Sequence, residues 1–323
     1  MGPPMKAAQV IARGKIQLIE TPAPDRPAAG QVIVRTETGC LCGSDIPFFS
    51  EAQPSYPLAP ALSLHEIIAR VTESTSPMFK AGDRVLAMPR GLKGCAEHLL
   101  LGEDRLVPID DDLSNDAAVI AQPMATVLSA LSTIPNVVGL NVAVLGQGPI
   151  GLLFDACLSS MGAARVIAID VREGRVSRSC EFGATDIFAT RETAGRDAIE
   201  FVAQRTGGSM ADLVIEAVGH QDQQFNLACA LARNNGRLLY FGIPPTQDVQ
   251  VALEPIVRKS LTIHTSVPED LRPFVKIAQR AIRRRHIDPA RLITHRFPFT
   301  QIQQAFETYR DRRNGSLKVI VDF

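Results

Sequence analysis

The chain has 323 residues, of which 46% are hydrophobic and 21% are charged. Lys+Arg and Asp+Glu both number 34, so there is no net charge to attract nucleic acid or anionic lipid. These values argue against a nucleic-acid-binding protein and are typical of a globular chain of one large domain or two ordinary ones.

The N-terminal third has the pattern of antiparallel β-structure. Short β-rich runs (AAQVIA, IQLIE, QVIVRTE) alternate with Pro- and Gly-rich breaks, and IIARVTES, DRVLAMP and AEHLLLG continue the pattern. The N-terminus MGPPMKAAQV lacks a cationic stretch followed by an apolar core, and Gln122 and Pro123 interrupt the apolar run 117–131. We therefore expect no signal peptide, no membrane span and a cytoplasmic location.

Two cysteines, Cys40 and Cys42, stand one residue apart in TGCLCGSD. They could form a disulfide, bind a metal or pack in the core. Six cysteines in so long a chain do not make a disulfide framework, and a ring closed by such near neighbours would be strained. Metal binding and core packing both stay open on these residues alone.

From about residue 121 the pattern changes to strands separated by helices. NVAVLG, RVIAID, ADLVIEA and RLLYFGI are apolar strand candidates, and helices are predicted at 150–161, 173–182 and 222–233. This alternation predicts a doubly wound parallel sheet beside the β-rich body. The last third predicts a helix (268–285), a strand (292–297), a helix (300–312) and a strand (317–322).

The stretch NVAVLGQGPIGLL carries a G-x-G-x-x-G pattern formed by Gly146, Gly148 and Gly151, between a predicted strand and a predicted helix. Such a loop lets a pyrophosphate approach the backbone at the helix N-terminus. The next strand ends in Asp170, nineteen residues after Gly151, where a carboxylate can bind the ribose hydroxyls. Asp170 would repel a 2′-phosphate, so NAD is favoured over NADP, although Arg172 and Arg175 can weaken this preference.

Taken together, these motifs resemble the medium-chain zinc-dependent alcohol and polyol dehydrogenases, in particular the sorbitol and threonine dehydrogenase branch. The resemblance rests on GCLCGSD, SLHEIIARV, AQPMATVLSAL, VLGQGPIGLL, GGSMADLVIEAVG, NGRLLYFGIP and GSLKVIVDF, in that order. It implies an α/β fold with a GroES-like catalytic domain (1–120 and 266–323) and a Rossmann domain (121–265).

The resemblance also implies one catalytic zinc ion. Cys42 and His65 match its first two ligands, Glu66 can bind or stand behind the metal, and Gln122 occupies the position of the third ligand. A thiolate and an imidazole suit zinc in an open tetrahedral site. Because Gln122 is neutral, we expect Glu66 to carry more of the metal binding than Gln122 does.

Further roles are carried over from the same family. Ser44 matches the hydroxyl that passes the substrate proton, Asp45 matches the acid that orients the ligand histidine, and Cys40 is interpreted as packing. The residues expected to bind the cofactor are Thr126, Gly146, Gly148, Pro149, Ile150, Gly151, Asp170, Arg175, Ala217, Val218, Gly219, Gly242, Ile243 and Lys318, with Lys318 at the pyrophosphate.

The sequence departs from the family pattern in four places. Gln122 replaces an acid or cysteine, Pro47 replaces a relay histidine, and Leu64 replaces the Gly of G-H-E, which crowds the approach to the ligand histidine. The lobe with four clustered cysteines is missing, and Cys95 alone cannot form a structural zinc site.

The sequence therefore predicts an NAD-dependent oxidoreductase acting on a secondary alcohol, a polyol or the corresponding ketone. The alternatives are a zinc-free reductase of an activated C=C or C=O and a non-catalytic NAD-binding protein. We expect a homodimer or homotetramer that pairs through the edge strand SLTIHTS at 260–266, with no nucleic-acid or membrane partner.

Overall fold

The computed structural model describes residues 4–191, 195–219, 223–244, 248–285, 287–311 and 314–323. The chain forms two compact units, one comprising Met1–Pro123 with Val275–Phe323 and the other Met124–Phe274. The functional domain limits, 1–120 with 266–323 and 121–265, stay a prediction.

Strands and helices are distributed differently in the two units. In the described residues the strands are β1 (Pro4–Ala12), β2 (Lys15–Pro22), β3 (Gln31–Cys40), β4 (Glu66–Ser74), β5 (Arg84–Ala87), β6 (His98–Gly102), β7 (Leu106–Pro108), β8 (Asn141–Leu145), β9 (Arg165–Asp170), β10 (Asp186–Ala189), β11 (Ala211–Glu216), β12 (Ala232–Tyr240), β13 (Thr262–Thr265), β14 (Ile293–Pro298) and β15 (Lys318–Asp322). The α-helices of the same residues are α1 (Ile46–Ser50), α2 (Asn115–Leu131), α3 (Pro149–Ser160), α4 (Glu173–Ser179), α5 (Arg196–Arg205), α6 (Gln223–Leu231), α7 (Leu253–Lys259), α8 (Arg272–Arg283) and α9 (Ile302–Arg310). None of these helices is both long and apolar enough to span a lipid bilayer.

The first unit is a β-rich body around one sheet. The strand order is β14-β15-β3-β4-β5-β7, β6 also pairs with β3, and β1 and β2 form a separate antiparallel pair. Except for the parallel pair β14-β15, the neighbours in the sheet are antiparallel, as predicted for the N-terminal strands. In the pair β3-β4, Cys40 lies opposite Glu66, so the end of β3 meets the start of β4.

The second unit is a doubly wound parallel sheet. Its strand order is β10-β9-β8-β11-β12-β13, and every neighbouring pair is parallel. Counted from β8, this is the order 3-2-1-4-5-6 of dinucleotide-binding sheets. The carboxyl ends of β8 and β11 therefore flank the point where the winding reverses, which is where such sheets bind their ligands.

The predicted α/β fold class is confirmed, and most predicted elements are present with small changes at their ends. The helix predicted at 150–161 is α3, and the one at 173–182 is α4 followed by a 3₁₀ turn, Cys180–Phe182. The helix predicted at 268–285 begins later, as α8. The first residue of the predicted helix 222–233 lies outside the described residues, and α6 ends at Leu231.

Helix α2 was missed, as were α1, α5, α7, β7 and β10. Gln122 and Pro123 interrupt the apolar run of α2, and an interior proline usually breaks a helix because it removes one N–H donor. Here Ile120, Met124 and Val127 are almost completely buried, so tertiary packing stabilises the helix around the proline.

Helix α3 is buried on almost every side and carries one acid. Asp155 is completely buried, and neither of its carboxylate oxygens has a hydrogen-bond partner among the described residues. Burial raises the pKa of this carboxyl well above its ordinary value, because an ionised group without a partner is poorly solvated there. The fold therefore favours the protonated acid at this position.

Candidate metal centre and nucleotide site

Three of the predicted metal ligands come together where β3 ends and β4 begins. The sulfur of Cys42, a ring nitrogen of His65 and a carboxylate oxygen of Glu66 all lie within 4.8 Å of one another. Cys42 follows β3 and His65 precedes β4, and the antiparallel register brings the two segments to the same edge. Across the described part of the chain, this is the one group of three or more His, Cys, Asp or Glu donors that lie so close.

Asp45 joins the two ligand-bearing segments through their backbones. Its Oδ2 accepts a hydrogen bond from the N–H of Cys42 at 2.8 Å, and its Oδ1 accepts one from the N–H of Leu64 at 2.9 Å. The side chain is completely buried, where charge-assisted hydrogen bonds are strong. The expected bond to the His65 ring is not made among the described residues, so Asp45 holds the segments rather than the imidazole.

The turn before His65 has an uncommon backbone. Ser63 has a φ of +108° and Leu64 a φ of +65°, in the left-handed half of the map that favours glycine. The Leu64 side chain is buried in the core, and a Cβ on Gly39 of β3 would stand 2.8 Å from its Cδ1. Leu64 thus packs against β3. The side chain that replaces the family's glycine therefore occupies space in the core, where it contacts Gly39.

Lys318 holds Glu66 in a buried ion pair. Its Nζ lies 2.8 Å from Oε1 and 2.6 Å from Oε2 of Glu66, and it also donates to the carbonyl of Leu41 at 3.0 Å. Lys318 is 2% exposed and Glu66 is completely buried. The resemblance places Lys318 at the cofactor pyrophosphate, but the structure instead buries its ammonium group beside a metal-ligand candidate.

The pKa values of this pair reflect the buried setting. Burial raises the pKa of Glu66 to about 7, and the Lys318 ammonium acts in the opposite direction. Burial also acts to lower the pKa of Lys318, but the surrounding acidic groups, Cys40 and Glu66 foremost, hold it well above its ordinary value. The short contacts to both carboxylate oxygens fit an ammonium paired with a carboxylate.

Two more side chains border the centre. Cys40 lies opposite Glu66 and is completely buried, and burial raises the pKa of its thiol well above the ordinary value. Its interpretation as a packing residue stays a prediction.

Tyr309 of α9 is also buried. Burial raises the pKa of its phenol, and the nearby Lys318 acts to lower that pKa. The sequence carried no signal for Tyr309.

The donor set fits a zinc ion. A thiolate and an imidazole are donors that zinc prefers, and Nδ1 of His65 and Oγ of Ser44 are buried without a hydrogen-bond partner in the described residues. Gln122 lies on α2 and is 7% exposed, and its role as a ligand stays a prediction. Cys95 is buried in the core of the first unit, and the absence of a structural zinc also stays a prediction.

The phosphate loop has the geometry that its glycines predict. Gly146 has a φ of +91°, and a Cβ on Gly151 would stand 1.8 Å from the carbonyl oxygen of Gly146, so only glycine fits there. Pro149 begins α3, preceded by Gly148 in an extended conformation. The first N–H groups of an α-helix have no partner within the helix, so a helix start of this kind can bind a phosphate.

Asp170 connects this loop to the end of β9. Its Oδ2 accepts from the N–H of Gln147 at 2.7 Å and its Oδ1 from the N–H of Arg172 at 2.9 Å. A guanidinium nitrogen of Arg175 lies 3.6 Å from the position of a Cβ on Gly148, so Arg175 reaches the loop. A carboxylate oxygen can accept more than one hydrogen bond, so Asp170 retains acceptor capacity for ribose hydroxyls.

The other predicted cofactor residues occupy three positions in the fold. Thr126 lies on α2, residues 217–219 follow β11, and residues 242–243 follow β12. The last two segments leave neighbouring parallel strands at their carboxyl ends, and β11 is also the neighbour of β8. Their roles in cofactor binding stay predictions.

Two family models match the chain. One, described as an alcohol dehydrogenase GroES-like domain, matches residues 28–115, and the other, described as a zinc-binding dehydrogenase, matches residues 149–279. The chain belongs to the zinc-type medium-chain dehydrogenase superfamily.

Individual relatives of this dehydrogenase agree with that assignment. It is 27% identical to the L-threonine 3-dehydrogenase of Bacillus licheniformis over 321 residues, covering 90% of this chain and 91% of the relative. It is 24% identical to the sorbitol dehydrogenase of Bacillus subtilis over 354 residues, covering 98% and 97%. The alcohol dehydrogenase TADH from Thermus sp. ATN1 shares the fold with a TM-score of 0.88 at 23% identity, covering 99% of this chain and all of the other. The protein is thus an oxidoreductase of the alcohol dehydrogenase type.

Proposed function

We propose that this dehydrogenase transfers a hydride between NAD(H) and a secondary alcohol or polyol, or the corresponding ketone, with one zinc ion per chain. The observation that carries the proposal is the convergence of Cys42, His65 and Glu66 in a chain related to threonine and sorbitol dehydrogenases. When bound, zinc would act as a Lewis acid on the substrate oxygen, and the nicotinamide would exchange the hydride. All six cysteines are free, which supports a reducing location such as the cytoplasm.

The residues of the centre have separate tasks in this proposal. The Cys42 thiolate and the neutral His65 ring supply the metal donors, and Asp45 keeps the two segments at a fixed distance. Ser44 would pass the substrate proton, accepting it at Oγ while giving its own hydroxyl proton to water, because this Oγ is buried two residues after Cys42 and has no protein partner in the described residues. Pro47 cannot pass this proton onward, so the relay beyond Ser44 differs from that of relatives with histidine there.

The function is tested by turnover and metal content on one sample. A panel of secondary alcohols, polyols and ketones should show turnover by NADH absorbance, and elemental analysis of the same sample should show one zinc per chain. Zinc without turnover on any member would contradict the substrate class.

The zinc-free reductase keeps a specific argument in its favour. Gln122 is neutral and Glu66 is paired with Lys318, so Cys42 is the remaining anionic donor of the predicted set. Reduction of activated C=C or C=O substrates by protein that holds no zinc, even after refolding with zinc, would establish this alternative.

We predict that NAD is preferred over NADP because of Asp170. Its charge lies at the end of β9, where it would repel a 2′-phosphate. Asp170→Ala should lower the ratio of kcat/KM with NAD to kcat/KM with NADP by about 10- to 100-fold, as expected for a lost charge and its hydrogen bonds. The measurement is initial rates with both cofactors across their saturation range.

Asp170→Asn separates the charge from the hydrogen bonds to the loop. The amide removes the charge but retains one oxygen acceptor for a backbone N–H, so this variant should also narrow the ratio while disturbing the loop less. A wild-type preference for NADP would contradict the assignment.

We also propose a dimer formed through β13. This strand lies at the edge of the parallel sheet and carries Ile263, which is 41% exposed, while Leu253 and Val257 of the preceding helix α7 are 65% and 67% exposed. An open edge beside apolar side chains is a surface that a second copy can cover. Light scattering should therefore give a mass of at least two chains, and Val257→Asp should lower it to one.

A matched control for this substitution is Met78→Asp, because Met78 is 62% exposed and lies in the other unit. Met78→Asp should leave the mass unchanged. A monomeric wild type, or loss of the dimer in both variants, would count against the β13 interface.

A further inference from the structure

Glu216 is a buried acid at the carboxyl end of β11 that holds the backbone of two loops. Its Oε1 accepts hydrogen bonds from the N–H of Val218 at 2.8 Å and of Gly219 at 3.0 Å. Its Oε2 accepts one from the N–H of Gly242 at 3.1 Å, after β12. The residue is 1% exposed, so these bonds form out of contact with solvent.

The two loops pack closely against each other and against the phosphate loop, so the glycines at these contacts cannot be replaced by residues with a side chain without a steric clash. A Cβ on Gly242 would stand 2.4 Å from Oε2 of Glu216 and 2.5 Å from the N of Gly219. A Cβ on Gly146 would stand 2.8 Å from Cγ2 of Val218. We call residues 217–219 and 241–243 the strand-end platform. Its two segments are joined by the carboxylate of Glu216.

The position of the platform in the sheet assigns it to one half of a dinucleotide. Asp170 is the last residue of β9, on one side of β8, and marks the adenosine ribose in the proposed function. The platform follows β11 and β12, on the other side of β8. A dinucleotide crosses such a sheet at the reversal point, with its pyrophosphate at the loop after β8, so the platform faces the nicotinamide half.

A carboxylate is an unusual choice at this position. The preceding residues of β11, Leu213, Val214 and Ile215, are completely buried aliphatic side chains, and burying a charge is costly unless it is well hydrogen-bonded. A carboxylate has two oxygens that only accept, so it can bind N–H groups from both loops at once. A glutamine would turn its NH₂ group toward one of these donors.

We infer that Glu216 is a positioning residue that sets the nicotinamide-binding surface by fixing the peptide planes of the strand-end platform. The inference rests on the proposed function, since it requires that the chain bind a nicotinamide dinucleotide. It predicts that weakening the Glu216 bonds impairs binding of the nicotinamide half and leaves the adenosine half unaffected.

The test compares NADH with ADP, which lacks the nicotinamide riboside. The protein has no Trp, so the emission of bound NADH is observed over little protein background, and ADP binding is measured by calorimetry. Glu216→Gln, which keeps the side-chain volume, should raise the Kd of NADH about tenfold, as for one lost charge-assisted hydrogen bond, and leave the Kd of ADP within about twofold.

Two further variants make the result specific. Gly242→Ala adds a Cβ that would clash with Glu216 and Gly219, so it should push the two loops apart. This variant should also weaken the binding of NADH and leave the binding of ADP unchanged. Glu200→Gln removes an exposed acid of α5 in the same unit and should change neither Kd. An unchanged Kd for NADH in Glu216→Gln, or equal weakening of NADH and ADP, would overturn the inference. Wild-type protein that binds neither ligand would instead overturn the proposed function.

Discussion

Replacing Cys42 by Ser should remove the metal and abolish alcohol oxidation together. Glu66 is held by Lys318 and an imidazole carries no negative charge, so a thiolate at Cys42 would supply most of the negative charge available to a cation. A serine hydroxyl is a much poorer zinc donor, because it stays protonated at neutral pH. We expect bound zinc to fall below about a tenth of the wild-type content and kcat/KM to fall at least about 1000-fold, as expected when Lewis-acid catalysis is lost.

The matched control is Cys40→Ser. Cys40 is completely buried, lies two residues away and faces Glu66 across the sheet, so it tests whether any thiol in this region has the same effect. Its zinc content should stay at the wild-type value, and a cobalt-substituted sample should keep the thiolate-to-cobalt absorption that Cys42→Ser loses. Equal loss in both variants, or zinc retained in Cys42→Ser, would contradict the assignment of Cys42.

Lys318→Met should lower the free energy of unfolding of the metal-free protein by about 3–5 kcal/mol, the range for breaking a buried ion pair from one side. The substitution leaves the Glu66 carboxylate completely buried without its cation. The double variant Glu66→Gln with Lys318→Met removes the charge as well and should recover most of the loss. The free energy of unfolding of the wild type, of Lys318→Met and of the double variant is measured by urea unfolding followed by circular dichroism.

The control is Lys276→Met, because Lys276 is exposed on α8, where removal of a lysine should change the free energy of unfolding by less than about 0.5 kcal/mol. Adding zinc makes the experiment informative about Glu66. Without Lys318 the carboxylate is available to the metal, so zinc should stabilise Lys318→Met more than it stabilises wild type. If zinc stabilises both equally, Glu66 is not a metal ligand. A loss below about 1 kcal/mol in Lys318→Met would show that the pair contributes little.

The sequence predicted the parts of the site that are local. The phosphate loop is one continuous strand-loop-helix segment, so its glycines and the first helical Pro149 specify it without reference to the rest of the chain. Cys42, His65 and Glu66 were proposed as ligands through the resemblance of GCLCGSD and SLHEIIARV to a known family, and these short segments lie next to strands that alternation identifies.

Contacts between distant residues were not predictable in this way. Lys318 and Glu66 are 252 residues apart in sequence, and no local pattern pairs them. Asp45 could be placed near His65 by family resemblance, but its bond to the backbone of Leu64 depends on the left-handed turn there. Glu216 reads as the last residue of a strand, and only the fold shows that three backbone N–H groups converge on it.

The buried Asp155 links the folding of this dehydrogenase to proton uptake. Its folded pKa is raised, whereas in the unfolded chain it returns to about 3.9. Its contribution favours the folded state most below that unfolded value and is lost as pH rises toward the folded pKa, because only the unfolded chain gives up the proton in between. Within that window, unfolding releases the proton of Asp155, so at this one group the unfolding reaction is also an acid dissociation.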